Sequence, residues 1–368
     1  MHDTTDEPAE KPVAVKKRKG KTPTPEQIKA FLDEYVVGQD DAKIAMSVAI
    51  YNHYKRIKNN NGSSHVEIDK SNMMLIGPSG SGKTHTVKTI ARLFELPCVI
   101  ADATSLTEAG YSGEDVENII NRLIQAADGD LELAQQGIIF IDEIDKKSKK
   151  NESSTVGRDV SGEGVQQALL KLIEGTTLEV VTDDDEVYTF NTKDVLFIFS
   201  GAFVGLDVII QKNRAKASIG FGANLASTKV SADILKSVNT QDLVNYGMIP
   251  EFIGRCPVTV VFEDLTVDTL VQILKEPKNS IVSQFQALFK MDGVRLEFDD
   301  KYLLSVAEEC LAHKLGARGL RTVIERKLQG TQYILPRLAK EGVNKITVDA
   351  DGIIKHTKRV SKRVNEKR

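Results

Sequence analysis

Two short stretches carry the residue types from which phosphate chemistry is built. Gly77, Pro78, Ser79, Gly80, Ser81, Gly82, Lys83 and Thr84 fit the spacing Gly-x-x-x-x-Gly-Lys-Ser/Thr. Glycines in such a loop let backbone N–H groups turn inward around phosphate oxygens, and the N-terminus of a following helix adds a favourable dipole. Lys83 would neutralise charge on the outer phosphates and Thr84 would ligate Mg2+, with His85 next in the helix. The second stretch, GIIFIDEID from Gly137 to Asp145, is an apolar run ending in carboxylates. Asp142 would hold Mg2+, through water, and Glu143 would polarise an attacking water. A glycine-rich turn or an acidic strand end is commonplace alone. Together they point to a protein that binds and hydrolyses a nucleotide.

Such groups must be held at the ends of buried strands, and the flanking sequence supplies them. Apolar runs at MMLI (73–76), CVIAD (98–102), IIFID (138–142) and VLFIFS (195–200) alternate with segments of helical spacing: THTVKTIARLF, EDVENIINRLIQAA and GEGVQQALLKLIEG. Short apolar strands alternating with helices indicate an α/β fold with a mainly parallel sheet. Ligands of such sheets lie at the carboxyl ends of the strands, where both stretches emerge. Upstream, TPEQIKAFLDEY starts a helix with Thr24 as its cap, and DDAKIAMSVAIYNHYKRI forms a second. After Pro257 the pattern turns helical, with VDTLVQILKEPKNSIVSQFQALF and KYLLSVAEECLAHK, while VRLEF and KITVD read as strands.

Composition narrows the function classes. Among 368 residues, Lys+Arg 49 against Asp+Glu 52 leaves a net charge of −3, so no whole-chain field marks a nucleic-acid or membrane binder. No apolar run approaches the ~18 residues a membrane span needs. The acidic start MHDTTDEPAE resembles neither a secretory signal nor a transit peptide. Cys98, Cys256 and Cys310 lie far apart with no C-x-x-C pair, which predicts no structural zinc and fits a reducing cytoplasm. Residues 1–24, with the basic cluster KKRKGK, read as a disordered tail, and so does the basic end 351–368.

Taken together, FLDEYVVGQDDAK, YNHYKRI, ADATSLTEAGYSGEDVENII, RDVSGEGVQQALLKLIEGT, SGAFVGLD, IGFG, GMIPEFIGRCPV and GARGLR resemble the ClpX family of AAA+ ATPases over roughly residues 24–345. Members are ring-forming protein unfoldases that feed the ClpP peptidase. The resemblance implies ATP as the nucleotide, a homo-hexamer, and an AAA+ P-loop fold: a parallel-sheet large domain, 25–264, then a smaller, mostly helical domain, 265–350. It assigns Val36 and Val37 to packing against adenine. Arg255 matches an arginine finger that reaches the neighbouring subunit's ATP, and Arg318 a sensor on the small domain. Ser200 falls loosely where a polar sensor would sit. Tyr111 and Arg158 match two pore loops that grip protein or peptide substrates, and Ile219-Gly220-Phe221 matches the tripeptide that docks into ClpP.

Two departures stand out against that family. No cysteine precedes Cys98, so the N-terminal zinc-binding domain of many members, with its dimerisation and adaptor capture, is expected to be absent. Where the family holds an Arg-Lys-His triplet, this chain has Asp183, Asp184, Asp185 and Glu186, and Ser112 replaces a valine beside Tyr111. An acidic pore mouth would repel acidic peptide ends and attract basic ones. A remodeller that works without a peptidase, and a regulatory or decoy subunit of another ring, stay open as alternative functions at this stage.

Overall fold

The computed structural model describes residues 22–60, 62, 66–107, 114–116, 118–148, 162–181, 187–218 and 234–358. The chain forms two compact units that interleave in sequence. One takes Asp41–Gly77 and Thr84–Val261; the other takes Lys29–Asp40, Pro78–Lys83 and the chain from Phe262 onward.

The first unit is built on a five-stranded parallel sheet. Its spatial order is Cys98–Asp102, Ile138–Asp142, Leu196–Gly201, Met73–Ile76, Val258–Val261. Met73–Ile76 and Leu196–Gly201 are buried at every position, as an apolar run covered on both faces requires. Ile139, Ile141, Phe197 and Phe199 of the sheet share a core with Leu123 and Ile124 of the helix Asn118–Ala126 and with Leu169 and Ile173 of the helix Glu163–Glu174. At the amino ends of the strands, the helix Asp40–Asn60 closes the sheet with polar side chains. His53 contacts Asp194 O at 3.2 Å, Tyr54 donates to Gln136 O at 3.1 Å, and Arg56 donates to Lys193 O at 3.1 Å and Asp194 Oδ1 at 2.9 Å. The glycine-rich and carboxylate stretches emerge at the carboxyl ends of the strands Met73–Ile76 and Ile138–Asp142.

In the second unit, Arg295–Phe298, Val343–Val348 and Ile354–Lys358 form a mixed sheet. Phe285, Phe289, Leu320, Ile324, Leu328 and Ile346 are in its core, with the 25-residue helix Gly316–Lys340 as the longest element.

The four expected strands of the large sheet are present, as are those at VRLEF and KITVD, and Thr24 caps the first helix. Its Oγ1 accepts from Gln27 N while Gln27 Oε1 accepts from Thr24 N. One strand was not anticipated: Val258–Val261, directly after Pro257 and ahead of the helices expected there, is a half-buried edge partner of Met73–Ile76. Two expectations need correcting. The helix expected over 267–289 is two, Val267–Lys275 and Ile281–Met291. Glu276 still has helical angles, but Pro277 has no N–H to continue the hydrogen-bond ladder, and Ser280 then caps the second helix through Ser283 N. Part of the basic end read as a tail is ordered: Ile354–Lys358 pairs antiparallel with Val343–Val348, its lysines at the edge where Lys355 meets Asp349 at 2.8 Å. No helix among the described residues is long and apolar enough to cross a membrane.

Candidate nucleotide site

The phosphate loop leaves the buried strand Met73–Ile76 and enters the helix Lys83–Phe94. Ser81 N–H donates to Pro78 O at 3.3 Å, and the Lys83 ammonium, itself buried, donates to the same carbonyl at 2.9 Å. Gly80 sits at φ +77°, where a side chain is strained, and a Cβ there would stand 3.1 Å from the Cα of Gly316. Ser81 Oγ is buried with no hydrogen-bond partner among the described residues, and a Cβ at Gly82 would meet nothing within 4 Å. The helix has no acidic residue in its first turn, so its dipole is free to favour an anion. His85 lies in that turn, exposed, and its carbonyl accepts from Thr89 Oγ1.

Thr84 and Asp142 meet at the carboxyl end of the sheet: Thr84 Oγ1 donates to Asp142 Oδ2 at 3.1 Å. The other oxygen of Asp142 accepts Glu143 N–H at 3.0 Å. Glu143 is exposed and adopts left-handed backbone geometry, φ 56° and ψ 31°. A non-glycine residue held there costs of order 1–3 kcal/mol, a strain that collects at functional sites. A hydroxyl and a carboxylate oxygen side by side, with a second carboxylate one residue on, make a donor set suited to a hard divalent cation and a polarised water.

Val36 is buried and Val37 half-buried in the turn after the first helix. That turn continues through left-handed Gly38 and Gln39. The carboxamide of Gln39, a residue the motif reading passed over, donates to Glu263 O at 2.9 Å and accepts from Glu263 N at 2.8 Å. A longer contact, 3.4 Å, reaches Ser81 O in the phosphate loop. Arg318 lies exposed in the first turn of Gly316–Lys340, whose start touches the same loop through Ala317 N–H to Gly80 O at 3.4 Å.

Arg255 caps the short helix Pro250–Gly254 and is more than half exposed. Glu174 Oε1 accepts from its Nε at 3.1 Å and lies 3.0 Å from its Nη2. Buried Asn72 anchors the backbone beneath, donating to Arg255 O at 2.9 Å and accepting from Phe197 N at 3.4 Å. Neither Glu174 nor Asn72 belongs to a spacing motif, so only their long-range contacts reveal them. Ser200 is fully buried, and its hydroxyl has no partner among the described residues.

Tyr111, Ser112, Arg158, Asp183 to Glu186 and Ile219-Gly220-Phe221 lie outside the described residues. The ends of two of these segments are pinned. Leu106–Thr107 pairs with Glu114–Asp115 across the first, and Thr177–Val181 pairs antiparallel with Val187–Asn191 across the acidic run.

Residues 68–259 match the family model described as the AAA domain (Cdc48 subfamily), and residues 265–348 match the C-terminal, D2-small domain of ClpB protein. A parallel sheet of this order, a phosphate loop and strand-end carboxylates within an AAA domain define an ATPase. Among curated relatives, the ATP-dependent Clp protease ATP-binding subunit ClpX of Treponema denticola is 49% identical over 329 residues, 87% of this chain and 79% of the relative. The ClpX of Borrelia duttonii is 46% identical over 360 residues, 96% of this chain and 83% of the relative. ClpX 2 of Wolinella succinogenes is 49% identical over 332 residues, 89% and 81% of the two chains. The chain belongs to the ClpX family, the ATP-binding subunits of the ATP-dependent Clp protease.

Proposed function

We propose that this chain is one subunit of a hexameric, ATP-driven unfoldase and translocase that threads proteins into the ClpP peptidase. The observation that supports it most directly is the Thr84–Asp142 hydrogen bond, with strained Glu143 one residue on. Phosphates fit the loop: a buried Ser81 hydroxyl without a partner among the described residues and the open space at Gly82 are what incoming oxygens would use. Mg2+ would be held by Thr84 and Asp142 and would offset charge on the phosphate oxygens. Lys83 would exchange its bond to Pro78 O for the outer phosphates, and Glu143 would orient the attacking water and draw off its proton. Val36 and Val37 would pack on the adenine, and Arg318 would report nucleotide to the smaller domain, taken as 265–350 after a large domain of 25–264. Arg255, exposed and not committed to a core, would serve the neighbouring subunit's ATP, so turnover would require a ring. Tyr111 and Arg158 would contact the translocating polypeptide, and Ile219-Gly220-Phe221 would dock on the peptidase.

ATP turnover per subunit, measured against protein concentration, tests this reading. Turnover should rise cooperatively as rings assemble. Glu143→Gln should bind ATP and not turn it over, and the wild-type protein should co-migrate with ClpP when nucleotide is present. Turnover retained in Glu143→Gln would refute the assigned chemistry, and no association with ClpP would favour a remodeller that acts alone.

A further inference from the structure

Asp145 is a buried carboxylate that the hydrolysis chemistry above does not use. It is 4% exposed and stands two residues beyond Glu143, inside the short 3-10 helix Ile144–Lys147. Its Oδ2 accepts the backbone N–H of Phe203 at 3.2 Å, a contact 58 residues away in sequence, while Oδ1 has no hydrogen-bond partner among the described residues. Phe203 is itself left-handed, φ 48°. A buried carboxylate is costly to keep unless it does something its surroundings need.

The surroundings form a chain of contacts across the carboxyl end of the sheet. Gly77, the first residue of the phosphate loop, donates its N–H to Gly201 O at 3.2 Å. Gly201 ends the strand Leu196–Gly201 and is pressed against the carboxylate: a Cβ there would lie 2.6 Å from Asp145 Oδ1 and 2.7 Å from the Phe203 ring. On its other side Asp145 belongs to the turn that sets Glu143. Lys146 N–H donates to Glu143 O at 3.0 Å, and Asp145 O accepts from Ser148 N at 3.3 Å and Ser148 Oγ at 2.7 Å. Gly77, Gly201, Asp145 and Glu143 therefore form one connected path from phosphate loop to hydrolytic carboxylate.

We propose that Asp145 is a positioning residue for hydrolysis, holding the turn that carries Glu143 in register with the end of the strand Leu196–Gly201 and, through Gly201, with the start of the phosphate loop. It touches neither nucleotide nor water at the reaction centre. It keeps Glu143 in its left-handed geometry by tying the far side of the turn, through Phe203 N–H, to the chain just beyond the strand Leu196–Gly201. The proposal rests on Glu143 acting as assigned above.

The test is ATP turnover by the full chain at ring-forming concentration, with kcat and KM separated. Nucleotide affinity is measured independently with a fluorescent ATP analogue, and folding is checked by circular dichroism. Asp145→Ala should lower kcat by about 10²-fold, the scale of a misplacement near 1 Å, with KM and analogue affinity within twofold of wild type. Asp145→Asn keeps an acceptor for Phe203 N–H and should recover most of that loss. Gly201→Ala removes no polar group but displaces the carboxylate, and should lower kcat in the same manner, by about tenfold. Should Asp145→Ala fail to fold, Asp145→Asn and Gly201→Ala still decide: wild-type kcat in Gly201→Ala would overturn the proposal. So would wild-type kcat in a folded Asp145→Ala, or a loss confined to KM. Glu143→Gln is measured beside them. If it retains turnover, the assignment of Glu143 falls and this inference with it; if it is inactive while the Asp145 and Gly201 variants are not, only this inference falls.

Discussion

Gln39 offers a sharp test of how the phosphate loop's surroundings are held. Its carboxamide copies one rung of a strand ladder, accepting from Glu263 N at 2.8 Å and donating to Glu263 O at 2.9 Å, across 224 residues of sequence. The side chain is 8% exposed, and the contact to Ser81 O at 3.4 Å is too long to count for much. Gln39→Ala removes two good hydrogen bonds, each worth about 1 kcal/mol net, so the local opening free energy at Glu263 should fall by about 2 kcal/mol. Hydrogen exchange reads this directly: the Glu263 amide should exchange about thirtyfold faster. Gln39→Glu is the more telling variant. Its carboxylate can still accept from Glu263 N–H, but its second oxygen has no proton to donate. That oxygen would face the carbonyls of Glu263 and Ser81. Near neutral pH it should therefore be worse than alanine, although it is the closer match in shape. Glu263 exchange at the wild-type rate in the alanine variant, or a glutamate variant more stable than alanine, would refute the reasoning.

Further outcomes follow from the same structure. Burial, then the neighbouring charges of Arg56 and Lys70, lowers the His53 pKa from 6.5 to about 3, so the folded protein keeps this ring neutral while the unfolded chain protonates below 6.5. His53 should therefore cost no stability above pH 6.5 and progressively more as pH falls toward 3, about 2 kcal/mol by pH 5. Denaturant unfolding of wild type against His53→Gln across that window should show the difference shrinking or reversing on the acid side. A pH-independent difference would argue that His53 is not the titrating group. If Arg255 acts on a neighbour's nucleotide as proposed, Arg255→Ala should abolish ATP turnover measured at a concentration where the wild type is active. Glu174→Ala should change stability by less than ~1 kcal/mol, because the pair is largely solvated. A Glu174→Ala variant that unfolds would contradict that account of the pair.

Much of the site can be read without coordinates because it is local. Gly77 to Thr84 and Ile138 to Glu143 are contiguous runs whose spacing alone suggests the chemistry proposed for them. The apolar strands behind them are uninterrupted because both faces are covered. Thr24 and its reciprocal bond with Gln27 are equally local. Val258–Val261 was not legible, since four residues at a half-buried edge carry no clear period, and the pairing with Met73–Ile76 makes them a strand. Ile354–Lys358 was hidden the same way: its lysines resemble a solvated tail until Val343–Val348 supplies a ladder.

The amino-acid sequence by itself pointed to an ATPase built on a parallel sheet, with a candidate phosphate loop and strand-end carboxylate pair, all through spacing and hydrophobic runs. Tertiary structure alone decided which distant groups meet around those candidate residues. Gln39 on Glu263, Glu174 on Arg255, Asn72 beneath Arg255 and Asp145 on Phe203 join residues 58 to 224 positions apart. A glutamine or a carboxylate looks the same in any loop. What it does depends on which backbone N–H or carbonyl the folded chain brings opposite it, and no local spacing encodes that.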